Sequence, residues 1–103
     1  MIVFTVMYPN EPGNRFDMDY YTAKHLVLVK ELAGDALKGV TCERGVSGGA
    51  PGSPADYAVI TRLQFDSMED FAAYMAPHSP VLNADVPNFT DITPRFQICE
   101  VVV

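Results

Sequence analysis

Ile2-Val3-Phe4-Thr5-Val6-Met7-Tyr8 is rich in β-branched and aromatic residues and reads as a strand. The breakers Pro9-Asn10-Glu11-Pro12-Gly13-Asn14 follow it and force a loop. A helix is predicted from about Asp17 to Ala33, with Asp17 as its cap and Gly34 placed to end it in a left-handed conformation. Leu37 to Gly45 and Asp56 to Phe65 read as the next two strands, joined by the Gly- and Pro-rich Ser47–Pro54 stretch. Ser67 then caps a second helix whose stripe is Met68, Phe71, Ala72 and Met75, and Pro77 is expected to stop it. Pro80 to Pro94 is expected to be irregular or briefly helical, and Phe96 to Val103 is the last strand. The order βαββαβ is the ferredoxin-like α+β pattern: a four-stranded antiparallel sheet with two helices on one face.

The faces of those strands carry a second message. Ile2, Phe4, Val6 and Tyr8 share one side of the first strand; Val3, Thr5 and Met7 share the other. Ile60 in the third strand, and Cys99, Val101 and Val103 in the last, extend the apolar character of that second side. Two helices cover only one face. Five side chains of roughly 60 Å² left bare on the other would forfeit about 7 kcal/mol. The expectation is a homodimer whose helix-free sheet faces pack together.

Composition narrows the partners. The 103 residues make one domain, 49% hydrophobic, with a net charge of −6 and no basic patch. That balance argues against nucleic acid and against anionic membrane surfaces. No run of eighteen apolar residues offers a membrane span, and no basic leader precedes the first strand, so a cytoplasmic location is the default expectation. Cys42 and Cys99 are then expected to be reduced.

Chemistry concentrates on the first helix. Tyr21 and His25 fall four apart, on the face that carries Met18, Leu28, Val29 and Leu32. An imidazole titrates near neutrality and can serve as a base; a phenol beside it can orient it or donate to an oxyanion. The competing reading is a core histidine satisfied by a backbone carbonyl. Tyr8, at the end of the first strand, and Tyr20, at the start of the helix, can line one pocket mouth, or simply pack. Between Asp85 and Asp91, Asn88 can hydrogen-bond a ligand and Asp85 can hold His25 if the fold joins them; otherwise the segment braces a dimer with Phe89 as its anchor. The histidines and cysteines have no metal-ligand spacing, and no dinucleotide loop is present, so no cofactor is expected.

These residues resemble the EthD family, named for a small protein linked to ethyl tert-butyl ether degradation. The resemblance rests on Met7-Tyr8-Pro9, on Phe16-Asp17-x-x-Tyr20-Tyr21-x-x-x-His25, on Leu63-x-Phe65-Asp66-Ser67, and above all on Asp85-Val86-Pro87-Asn88-Phe89-Thr90-Asp91 with Pro94 and Gln97-Ile98. It implies a dimeric α/β barrel, a fold shared with muconolactone isomerases and with cofactor-free monooxygenases of aromatic polyketides. Two functions stay open. One is a small cofactor-independent enzyme, oxidoreductase- or isomerase-like, acting on a hydrophobic carbonyl or phenolic molecule with His25 as base. The other is a binding or accessory protein of a degradation pathway.

Overall fold

Four antiparallel strands in the order β2-β3-β1-β4 form one sheet, in a computed structural model that describes residues 1–103. They are β1 (Ile2–Pro9), β2 (Leu37–Arg44), β3 (Tyr57–Phe65) and β4 (Arg95–Glu100). Helix α1 occupies residues 18–33 and α2 spans Met68–Asp85, with short 3₁₀ turns at Gly34–Ala36 and Val86–Asn88. This is the α+β arrangement that the strand pattern predicts. No helix is long and apolar enough to cross a membrane.

Alternation decides which side chains enter the core. Phe4, Val6 and Tyr8 of β1 and Val59, Leu63 and Phe65 of β3 meet Tyr21, Leu26 and Val29 of α1 and Phe71, Tyr74 and Leu82 of α2. Val6 pairs with Thr61 on one side and with Phe96 on the other, so these three stand abreast across β3, β1 and β4.

Helix α1 is not uniform. Asp17 caps it through a bond from the Tyr20 N–H, as its short carboxylate suggests. The Leu26 N–H reaches five residues back to the Tyr21 carbonyl, so Tyr21–His25 forms a π-helical turn between α-helical Met18–Tyr20 and Leu26–Ala33. A wider turn advances fewer degrees per residue. His25 and Leu26 therefore both face the core with Tyr21, and Leu28 is only half-buried. A uniform helical period does not foresee Leu26.

Pro77 does not stop α2, and Pro80 does not either. Ala73 and Ala76, whose carbonyls the prolines leave without an i+4 donor, are exposed residues. Phe71 and Tyr74 before them and Leu82 after them pin both halves to the core. That burial outweighs the helix-breaking penalty of about 3 kcal/mol per proline. The continuation carries Asp85 to the core side, where the sequence suggested irregular chain.

The last strand ends at Glu100, short of Val103, and Val101–Val103 follow it exposed. The helix-free face is accordingly mixed rather than continuously apolar. Val3 and Thr5 lie at its centre, already buried, with Gln64, Arg62, Gln97 and Cys99 as their cross-strand neighbours. Arg62 also pairs with Glu43 there. Long polar side chains beside the central strand remove much of the 7 kcal/mol argument for covering this face. Exposed apolar surface lies elsewhere: Phe96 and Ile98, on the helix side of edge strand β4, stay 56% and 45% exposed. Cys42 and Cys99 are free thiols on opposite edge strands.

Replacing Pro77 by Ala restores a helix hydrogen bond and removes a ring clash, against a smaller gain in unfolded-chain entropy. The P77A protein is expected to be more stable by about 1–2 kcal/mol in urea unfolding. A lowered midpoint would show that the proline shapes α2 rather than merely being tolerated by it.

Candidate functional site

The π turn and the long α2 together build the site. His25 Nδ1 lies 2.8 Å from Asp85 Oδ2, joining residues sixty positions apart. The other carboxylate oxygen, Oδ1, accepts from Tyr20 Oη at 2.7 Å and from Asn88 Nδ2 at 2.9 Å. Burial opposes ionisation of Asp85, but the hydrogen bonds from Tyr20, Asn88 and His25 outweigh it and hold the carboxyl below its ordinary value. An ionised carboxylate only accepts, so Nδ1 carries the proton. When the ring is deprotonated, its lone pair is at Nε2, the nitrogen that no side chain of the protein engages.

His25 is 6% exposed and lines a cavity between sheet and helices. Tyr8, Tyr21, Thr61, Val6 and Leu63 form its floor with Phe4; Leu26, Val29, Met75, Leu82, Asn83 and Val86 form its walls; Pro94 and Phe96 complete it from the β4 side. The cavity is partly open to solvent, with a volume of about 60 Å³.

Tyr21 shares a 2.6 Å hydrogen bond with Thr61 Oγ1, both fully buried. Burial pushes the Tyr21 phenol up to about 12, with the Thr61 bond working the other way. Burial, and then the nearby Tyr21 phenol, push Tyr8 still higher. Both phenols are therefore neutral donors near pH 7. Tyr21 meets His25 ring on ring, at 5.4 Å between centroids and 16° between planes.

The sequence-predicted residues thus divide. His25, Tyr21 and Tyr8 line the cavity. Asp85, Tyr20 and Asn88 stand behind the imidazole and touch it or one another. Phe89 is wholly buried behind the site, 4.7 Å from the His25 ring and 4.8 Å from that of Tyr21. Its neighbours pin the start of α1: the Asp17 N–H donates to the Phe89 carbonyl at 2.7 Å, and Thr90 Oγ1 donates to the Arg15 carbonyl at 2.6 Å. Sequence reading missed Thr61 and Phe96. Thr61 had a signal, a hydroxyl at a core-parity position of β3; Phe96 had none until β4 proved to be an uncovered edge.

A family model described as the EthD domain matches residues 14–93, which include α1, α2 and the 85–91 segment. A crystal structure of an EthD-like protein from Ralstonia eutropha is 41% identical, with a TM-score of 0.93 over 99% of this chain and 92% of that one. The chain belongs to the EthD family. An EthD-family protein from Bacillus halodurans is similar in fold, at 16% identity and a TM-score of 0.75 over 99% of each chain. So is a dimeric ferredoxin-like protein from Thermobifida fusca, at 16% identity and a TM-score of 0.60 over 97% of this chain and 90% of that one. No curated protein matches this chain. In this EthD protein the family-like segment Asp85–Asp91 meets α1 twice, through Asp85 at the imidazole and through Phe89 and Thr90 at the helix start.

Asp85 has a folded-state pKa below its unfolded one. Its contribution to stability is full above the ordinary value of 3.8 and is lost as the pH falls through the lower folded value. Acid titration of unfolding free energy should therefore show a decline in wild type over that window, and a shallower one in D85N. Equal slopes would mean that the carboxylate is not held by its three donors.

Proposed function

We propose that this EthD protein is a small cofactor-independent enzyme acting on a hydrophobic molecule with a carbonyl or phenol, His25 being its general base. The observation that carries the reading is the polarised imidazole: Nδ1 is held by Asp85 while the ring lines an otherwise apolar cavity. In this reading Nε2 removes a proton from a phenol or from the carbon beside a carbonyl. Asp85 steadies the imidazolium that results, with Tyr20 and Asn88 fixing the carboxylate. Tyr21 and Tyr8 donate toward the oxygen where negative charge develops. The anion is then reprotonated elsewhere, giving an isomer, or reacts with dioxygen.

The alternative is retention without turnover, in a binding or accessory protein. The satisfied Tyr21–Thr61 pair keeps this reading alive, since a hydroxyl already bonded is a weaker oxyanion donor than a free one. Titrating phenol into the protein and following the His25 ring by NMR tests the shared part. Saturable shifts are expected in wild type, and affinity, read for both proteins by calorimetry, is expected to be about tenfold weaker in H25A, the cost of one hydrogen bond to an ionisable group. Unchanged ring signals at saturating phenol would remove both readings. Full turnover of a substrate by a folded H25A protein would remove His25 as the base.

The assembly we infer is a homodimer through the helix-free face, as the dimeric Thermobifida fusca protein suggests by its fold. Mixed composition suits such a contact, because interfaces that form reversibly are about as apolar as ordinary surface. Sedimentation at micromolar concentration should give a dimer, and I60D, a charge placed on that face, should give a monomer. A monomeric wild type would contradict the assembly.

A further inference from the structure

We propose that the cavity is shaped for a molecule of a single ring with one oxygen, a phenol or a ring ketone, and that Phe96 sets this limit by closing the mouth to fused-ring molecules. The inference rests on the preceding reading that the cavity binds a small molecule.

The cavity has a polar end and an apolar end. Thr61, Val6 and Phe96 stand abreast on β3, β1 and β4. At a strand spacing of about 4.8 Å, the backbones at Thr61 and Phe96 are about 9.6 Å apart across the sheet. The hydroxyls of Thr61 and Tyr21 mark one end, with His25 beside them. At the other end stands the ring of Phe96. That span holds one ring whose oxygen faces the polar end. A second fused ring runs into Phe96.

A core-packing role does not account for Phe96. More than half of it faces solvent, and β4 is an edge strand. One side of its ring stacks on Phe4, at 5.5 Å and 4° between planes, and it also lines the cavity. A flat ring held on one side and wet on the other is a wall that excludes by shape.

Affinities of phenol and 2-naphthol, measured by calorimetry on the full chain as wild type, F96A and F96L, test this. An open apolar groove favours 2-naphthol, which buries more surface. Wild type is expected to prefer phenol instead. F96A should raise affinity for 2-naphthol by about ten- to a hundredfold, the range by which pockets discriminate on size, with F96L between. Phenol affinity should change little. A wild type that binds 2-naphthol as tightly as phenol, or Phe96 variants with an unchanged ratio, would overturn the gate while leaving the binding reading intact. Failure of every protein to bind either molecule would remove that reading and the gate with it. Melting curves establish that each variant is folded, and F96L carries the test of the gate if F96A is not.

Discussion

The 2.8 Å hydrogen bond between His25 Nδ1 and Asp85 Oδ2 ties the middle of α1 to the far end of α2. Much of the site depends on that tie. It fixes which nitrogen of the imidazole is protonated, and so which one is left for the cavity. It places a carboxylate where three donors converge, from Tyr20, Asn88 and His25. Removing the carboxylate would strand the buried His25 N–H, at a cost of about 1–3 kcal/mol, while Tyr20 and the exposed Asn88 could turn to water. Every side-chain polar atom shut off from both solvent and cavity has a partner.

Two local irregularities make the tie possible, and each breaks a rule that sequence reading relies on. The π turn lets His25 and Leu26 face the core together. The uninterrupted α2 carries Asp85 past two prolines to the imidazole. Both cost free energy locally, and both are sustained by aromatic and aliphatic burial on either side. Such departures from regular geometry gather where a fold must aim particular side chains.

The succession of strands and helices and the pairing of Tyr21 with His25 on one helix face were legible in the sequence, because alternation and helical spacing are strong local signals. The end of α2 was not, since Pro77 gives a local stop signal that distant burial of Leu82 overrides. Nor was the character of the helix-free face. Arg62, Gln64 and Gln97 look like isolated interruptions along their strands, and only the register shows them flanking Val3 and Thr5. Asp85 was legible as a possible partner of His25 and no more, because a contact across sixty residues leaves no spacing rule to read. Thr61 could have been found by parity alone; Phe96 needed the strand order.

The state of the His25 ring is the feature on which the site turns. A long-range proton–nitrogen NMR spectrum of the deprotonated His25 imidazole reports which nitrogen bears hydrogen. The account predicts a protonated Nδ1 and a bare Nε2 in wild type, with that preference weakened in D85N. A ring carrying its hydrogen on Nε2 in wild type, or one insensitive to Asp85, would contradict it.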